Sequence, residues 1–321
     1  MMWIVVLALV IVYLLVDRLL RVFKVGNHSN KYVFVTGCDS GFGRELVLRL
    51  DKVGFPVFAA CYTDEGKRTL AEACSSRVQI IAFDVTREES IQSALSTVRQ
   101  KLPTESSLWA IVNNAGVIGQ VVAAEICNKK EYQFCCDVNL FGPIEVARAF
   151  LPLLRKSKGR IVNLTSCMGR CAAEAGPYCV SKFGLEAFND VLRREVAQFG
   201  IKVCLVEPGY TQTNLFHVDE LHKGIREAFQ RSDPEVQEAY GKNYPDLAIA
   251  VLTAKLERCS PRIEKVVDAL HGAIVCKYPR PRTVVGYDAK LFFIPLTFLP
   301  EWIGDAALLS YEKRLAKEKG F

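Results

Sequence analysis

A glycine-rich turn held between a strand and a helix, near the start of the chain, narrows the fold more than any other feature. Tyr32-Val33-Phe34-Val35 is a continuous apolar run, the pattern of a strand buried on both faces. Thr36-Gly37-Cys38-Asp39-Ser40-Gly41-Phe42-Gly43 follows it. Arg44 to Val53 then places Leu46, Leu50 and Val53 on one helical face. Strand, glycine turn and helix in this order is the context a dinucleotide site requires. Glycine lets the backbone turn tightly and approach a pyrophosphate, and the helix N-terminus offers free N–H groups and partial positive charge. The spacing is Gly-x3-Gly-x-Gly, not the commoner Gly-x-Gly-x-x-Gly, and a glycine turn with no ligand is the plainer alternative.

Downstream, strand and helix patterns alternate, as in a doubly wound α/β sheet. Further strands are expected at residues 56–61, 78–83, 108–112, 160–164, 202–206 and 282–286. Helices are expected at 88–102, 129–154 and 178–199. A chain of 321 residues, half of them hydrophobic, suits one large domain with a parallel sheet covered on both faces. The expected division is a membrane anchor at 1–25, a polar linker at 26–31, the sheet domain at 32–290 and a C-terminal apolar segment and tail at 291–321.

Tyr178 and Lys182 stand four residues apart, on one face of a helix. A phenol ionises near pH ~10, and a neighbouring cation favours the phenolate, so the pair reads as a proton donor and acceptor near neutrality. Tyr-x3-Lys alone is weak, because any surface helix carries it by chance. Asn113-Asn114-Ala115-Gly116 after a buried run is ordinary turn chemistry by itself. A serine after a strand, as at Ser166, is usually a cap or turn residue.

Together, Thr-Gly-x3-Gly-x-Gly, Asn-Asn-Ala-Gly, Asn139, Ser166, Tyr178-x3-Lys182 and Pro208-Gly209 with Thr213 resemble the short-chain dehydrogenase/reductase family over about residues 30 to 290. Gly37 to Gly43, Leu108 to Gly116 and Phe150 to Arg160 look like its retinol and hydroxysteroid dehydrogenase branch, which includes the 17β type 2 and 11β type 2 relatives. The resemblance implies a single Rossmann domain. It also implies that Tyr178 exchanges the substrate proton, Ser166 orients the substrate oxygen, Lys182 binds the nicotinamide ribose and Asn139 holds a water leading from Lys182 to solvent. Gly37, Asp39, Ser40, Gly41, Phe42 and Gly43 would cradle the cofactor. Thr63, Asp84 and Val85 would approach its adenosine half; Asn113, Ala115 and Gly116 its ribose side; Pro208, Gly209, Thr211 and Thr213 the far wall. Ser166 is twelve residues before Tyr178, where many relatives have thirteen. Thr165 has the other spacing, and Ser166 is preferred because Ser-Cys-Met-Gly fits the pattern.

The second strand ends Cys61-Tyr62-Thr63-Asp64-Glu65, with no basic residue before Lys67, and the glycine turn carries Asp39. Carboxylates here favour a free ribose hydroxyl over a 2′-phosphate, so NAD is expected rather than NADP. Asp64 and Glu65 also suit the first turn of a helix.

Met1 to Val16 carries no charge. As a helix it spans about 24 Å, slightly less than a ~30 Å hydrocarbon core. Leu19, Leu20, Val22 and Phe23 extend it, with Arg18, Arg21 and Lys24 placed to snorkel. It lacks the basic start and small-residue cleavage site of a signal peptide. The charges follow the run, so the positive-inside rule predicts an endoplasmic reticulum anchor with the catalytic domain in the cytosol. Leu291 to Leu299 is uncharged, too short to span, and suits either the bilayer interface or the domain's own core.

No basic patch with interleaved aromatics points to nucleic acid, and the net charge of +6 is scattered. Neither the twelve cysteines nor the four histidines have metal-ligand spacing, so no metal is expected and the cysteines read as reduced, mostly buried thiols. A homodimer stays open. Residues 210–261 read as a substrate lid, with Phe216, Leu221 and Phe229 as its apolar members. The reading is NAD-linked oxidation or reduction of a hydrophobic steroid or retinoid alcohol. A dehydrogenase of a small hydroxy acid such as 3-hydroxybutyrate is the alternative, and it needs a cation near Ser166, for which Arg170 is the close candidate. A non-catalytic NAD-binding protein is the third.

Overall fold

The computed structural model describes residues 2–213 and 216–321, the side chains of residues 2–4 and 10 excepted. Met1 of the expected anchor, and residues 214 and 215 of the expected lid, lie outside the described residues. Seven strands form one parallel sheet: β1 (Lys31–Thr36), β2 (Val57–Cys61), β3 (Val78–Ala82), β4 (Ser107–Asn113), β5 (Arg160–Leu164), β6 (Lys202–Pro208) and β7 (Arg282–Val285). Their order is β3-β2-β1-β4-β5-β6-β7. The chain winds outward from β1 to β3, then returns to pair β4 on the other side of β1. That reversal opens a crevice beyond the carboxyl ends of β1 and β4, the usual ligand position in such sheets.

Both faces are covered, which is why the strands read as unbroken apolar runs. On one face, Leu46 and Leu50 of α2 (Gly41–Lys52) and Val266, Leu270 and Ile274 of α11 (Glu264–Val275) pack on β1, β2, β4 and β6. On the other, α4 (Glu88–Lys101), α6 (Gly142–Ser157) and α7 (Gly176–Glu195) bring Leu95, Phe150 and Leu192 against Phe34, Phe58 and Ile111. α3 (Asp64–Ala73) joins β2 to β3.

The region expected as one helix from 129 to 154 is divided. α5 (Lys129–Cys136) ends in a π-helical turn at Asp137–Phe141 before α6 begins. A π turn widens the helix by one residue, and here it re-aims Asn139 into the protein. Residues 210–261 form α8 (Val218–Arg231), α9 (Pro234–Tyr240) and α10 (Tyr244–Glu257), with Ile225, Phe229 and Leu252 as their buried centre. The C-terminal segment splits between two environments. Phe293 and Ile294 are buried, whereas Leu291 and Phe298 are each 75% exposed. A π-helical turn at Ala289–Phe293, α12 (Ile294–Leu296) and α13 (Glu301–Glu318) complete the chain.

α1 (Met2–Val22) leaves Leu7, Leu9, Tyr13 and Leu15 exposed. Among the described residues, no helix is long and apolar enough to cross a membrane. The end of α1 is fastened to the domain. Asp17 is buried and accepts hydrogen bonds from Arg21 at 2.6 Å and Arg280 Nε at 3.0 Å. Lys277 N donates to Phe23 O and Val25 N to Val275 O, both at 2.8 Å. The stretch read as a polar linker is likewise packed, with the His28 ring stacked on Phe55 at 4.3 Å between centroids.

Candidate active site

The glycine turn is stitched to the end of β4. Asn114 Nδ2 donates to Thr36 O and Gly37 O, both at 2.9 Å, and Thr36 Oγ1 accepts from the N–H groups of Asn114 and Ala115 at 3.0 and 3.1 Å. Gly37 has φ +69°, and a Cβ there would sit 2.7 Å from Ala115 Cα. Neither the conformation nor the space admits a side chain. A Cβ on Gly41, by contrast, would meet nothing nearer than Thr213, at 3.8 Å. The N-terminus of α2 therefore faces open space, with its first N–H groups free of intrahelical partners.

That space belongs to a cavity of about 1210 Å³. Gly37, Asp39, Ser40, Gly41, Phe42 and Thr63 line one end. Ala115, Gly116, Ser166, Tyr178 and Lys182 line the middle, and Pro208, Gly209, Thr211 and Thr213 the opposite wall. A glycine cradle, a helix N-terminus and hydroxyl and amide groups along one trough fit a dinucleotide. Asp39 closes the end. Its carboxylate accepts from Thr63 N and Oγ1 at 2.7 and 2.8 Å and from Tyr62 N at 3.0 Å.

Five expected residues do not line the cavity. Gly43 is buried, because its Cα lies against the Gly37 carbonyl and a Cβ would collide there. Asn113 is turned into the core, where Nδ2 donates to Asn163 Oδ1 at 2.8 Å, and its neighbour Asn114 takes the lining position. Adjacent residues at a strand end point to opposite sides, so Asn114 and not Asn113 faces the trough. Asp84 caps its own turn by accepting from Thr86 N at 2.9 Å and Thr86 Oγ1 at 2.7 Å. Val85 packs against Gly142 in the core. Asn139 stands one layer behind: Oδ1 accepts from Val117 N at 2.8 Å, and Nδ2 donates to Val117 O at 2.8 Å and Ser181 Oγ at 3.0 Å. A Cβ on Gly116 would lie 3.2 Å from Asn139 Oδ1 and 3.6 Å from Lys182 Nζ, so only glycine separates the two groups.

Tyr178 and Lys182 occupy the first turns of α7. Ser166 Oγ donates to Pro208 O at 3.4 Å and accepts from Met168 N at 3.1 Å, and its hydroxyl lies beside the Tyr178 phenol. Thr165 also lines the cavity, but its Oγ1 donates to Glu186 at 2.6 Å. Burial holds the Tyr178 pKa well above its ordinary value, and the neighbouring Ser166 hydroxyl only partly opposes this. The Lys182 ammonium lies 5.6 Å from the phenol ring centroid and donates to Leu164 O at 3.0 Å. Burial lowers its pKa to about 8. The expected depression of the phenol pKa by Lys182 is thus overridden: desolvation raises the acid and lowers the base. Behind them lie two buried carboxylates, Glu186 and Glu207, bridged by Arg282. Burial first, and the Glu207 carboxylate second, raise the Glu186 pKa.

The rest of the cavity is mostly apolar. Met168, Leu221, Leu252 and Leu256 line it, with Phe216 at the lid. Phe229 is instead buried inside the lid. Arg170 is held 3.5 Å from Glu207 and over the Phe298 ring, outside the cavity lining, so the cation required for a small hydroxy acid is engaged elsewhere. Tyr210 and Glu174 also line the cavity and went unnoticed in the sequence. A lone carboxylate in the small-residue loop Cys171-Ala172-Ala173-Glu174-Ala175-Gly176 was the available signal for the second.

Residues 31–223 match the family model described as short chain dehydrogenase. Retinol dehydrogenase 7 of Rattus norvegicus is 41% identical over 308 residues, 96% of each chain. The chain belongs to the short-chain dehydrogenase family. Within it, this dehydrogenase falls in the retinol and hydroxysteroid branch: 17-beta-hydroxysteroid dehydrogenase type 6 of Homo sapiens is 39% identical over 307 residues, again 96% of each chain. Among solved structures, a short-chain dehydrogenase from Streptomyces avermitilis superposes with a TM-score of 0.68 at 26% identity, covering 91% of this chain and 100% of that one. It is therefore an oxidoreductase acting on CH–OH groups, and its cofactor class is the nicotinamide dinucleotides.

Proposed function

We propose that this short-chain dehydrogenase is NAD-dependent and interconverts a hydrophobic alcohol, a steroid or retinoid, with its ketone or aldehyde. One observation carries the reading: Ser166 and Tyr178 lie together where the polar trough of the glycine cradle meets a largely apolar chamber. A bound nicotinamide supplies the hydride acceptor in oxidation and the donor in reduction. Gly37, Ser40, Gly41 and Asn114 would hold it, with Lys182 and Thr213 along the trough. Ser166 donates to the substrate oxygen and fixes its direction. Tyr178, protonated at neutral pH, gives its proton to a carbonyl in reduction and recovers one from the alcohol in oxidation. Lys182, with a pKa of about 8, changes charge close to neutrality, and its protonated form favours the transient phenolate. Asn139 keeps the backbone at Val117 and the α7 hydroxyl of Ser181 in register behind them.

The carboxylate of Asp39, with Glu65 lining the same end of the cavity, supports NAD over NADP, because a 2′-phosphate there would meet negative charge. Lys67, the nearest base in sequence, is already paired with Asp64. The exposed apolar side of α1, with Arg18 after it, supports attachment to the endoplasmic reticulum with the catalytic domain in the cytosol. Initial rates on a panel of steroid, retinoid and short hydroxy-acid alcohols, each with NAD and NADP, test the reading. It predicts turnover of hydrophobic alcohols with NAD. Turnover confined to a hydroxy acid would overturn it.

A further inference from the structure

The cavity wall beside Ser166 and Tyr178 carries a polar cluster that the hydride-transfer chemistry does not use. Glu174, on the loop between Ser166 and Tyr178, lines the same cavity as those two residues. One carboxylate oxygen accepts from the Tyr210 hydroxyl and the other from the Lys255 ammonium. Lys255 is 4% exposed and is held from behind by Glu312 of α13, at 3.0 Å. Tyr210 is fixed at both ends: its N–H donates to Asp288 at 2.7 Å and its ring packs 5.6 Å from Phe293. Four segments far apart in sequence converge on this carboxylate.

Burying a carboxylate and a lysine beside an apolar chamber is costly unless every group is matched. Lys255 matches the charge. The hydrogen bonds are not all matched. A carboxylate offers about four lone-pair positions, and Glu174 uses two in the interactions described. The Tyr210 oxygen donates its only proton to Glu174 and keeps its own acceptor capacity. The wall therefore presents acceptors and no further hydroxyl donor, among Leu252, Leu256 and Met168, which offer nothing polar from their side chains. The complementary ligand is a hydroxyl group carried on a hydrophobic skeleton.

We propose that Glu174 and Tyr210 form a second substrate subsite that accepts a hydrogen bond from a hydroxyl other than the one that reacts, so that the enzyme prefers hydrophobic diols to alcohols whose remainder is pure hydrocarbon. This rests on the functional reading above and narrows it toward hydroxylated ring systems. Lys255 and Glu312 act as positioning residues: they hold the Glu174 carboxylate in the wall and do not meet the substrate.

The test uses full-length enzyme in detergent and two steroid alcohols with the same reactive secondary hydroxyl. One carries a second, tertiary hydroxyl, which cannot be oxidised; the other lacks it. Wild type is expected to favour the diol by at least about tenfold in kcat/KM, chiefly through KM. Tyr210→Phe and the charge-removing pair Glu174→Leu with Lys255→Met are expected to bring the ratio close to one while leaving the mono-alcohol within about threefold of wild type. A latch that merely closes the loop against α10 and α13 predicts equal losses for both substrates, and that result overturns the subsite. Equal efficiency of wild type on both substrates overturns it too. If wild type oxidises neither steroid nor retinol with either cofactor, the functional reading itself fails, and turnover of retinol without either steroid overturns the diol preference alone. Thermal unfolding of each variant identifies any that do not fold, and Tyr210→Phe, which removes one oxygen atom, carries the test in that case.

Discussion

Replacing Lys182 by Met is expected to make this dehydrogenase more stable and inactive. Lys182 is 4% exposed, and burial lowers its pKa from the usual 10.5 to about 8. Each pKa unit is worth about 1.4 kcal/mol, so holding the ammonium in the folded protein at pH 7 costs about 3 kcal/mol. Methionine has similar length and no charge, and it removes that cost. It also removes the hydrogen bond to Leu164 O, worth about 1–2 kcal/mol. The net expectation is a gain of about 1–2 kcal/mol at pH 7. The pH dependence is the sharper readout. The folded pKa lies below the unfolded one, so the penalty is complete below about 8 and disappears above 10.5, where both states are neutral. Between these limits the unfolded chain binds more protons, and wild type gains on the variant as pH rises. From pH 7 to 9.5 that relative gain is roughly 2 kcal/mol. Paired urea unfolding curves for both proteins at the two pH values measure it, and groups that do not interact with Lys182 cancel in the difference. A stability gap that does not change with pH would show that Lys182 is not held as a desolvated cation.

Tyr178→Phe should abolish turnover while leaving cofactor binding, followed by reduced-nicotinamide fluorescence, nearly intact; more than a few per cent residual activity removes the phenol from its proposed role. Asp39→Ser should raise the NADP-to-NAD ratio of kcat/KM about tenfold by withdrawing a carboxylate from the end of the trough, and a wild type that already prefers NADP contradicts the cofactor assignment. Gly37→Val should cost about 3 kcal/mol or more, because a branched residue at φ +69° is strained and its Cβ would press on Ala115; a melting temperature equal to wild type would refute the packing argument. Protease added to intact microsomes should digest the catalytic domain, and Asn27, in the glycosylation sequon Asn27-His28-Ser29, should carry no glycan; full protection with an endoglycosidase-sensitive mass places the domain in the lumen.

Much of this molecule was legible from short-range pattern. The glycine turn, the apolar runs and the Tyr178–Lys182 spacing each span less than ten residues and follow from backbone geometry and helical periodicity. They were enough for the doubly wound sheet, six of the seven strands to within a residue at each end, and the family. The chamber depended on contacts that no local pattern records. Local pattern already favoured Ser166 over Thr165, but the partner that occupies the Thr165 hydroxyl, Glu186, is 21 residues away and shows only in the packed chain. The lining role of Asn114 rather than Asn113 depended on how β4 ends against the glycine turn. The π turn that aims Asn139 inward looked like ordinary helix in the sequence. Glu174 meets Lys255 across 81 residues, and Asp17 meets Arg280 across 263. The Tyr178 and Lys182 pKa values moved in the directions set by burial, which is a property of the packed chain. A sequence read alone records which groups are present and their local geometry. The desolvation that sets their chemistry, and the partners that remain for them, exist only once the chain has closed around them.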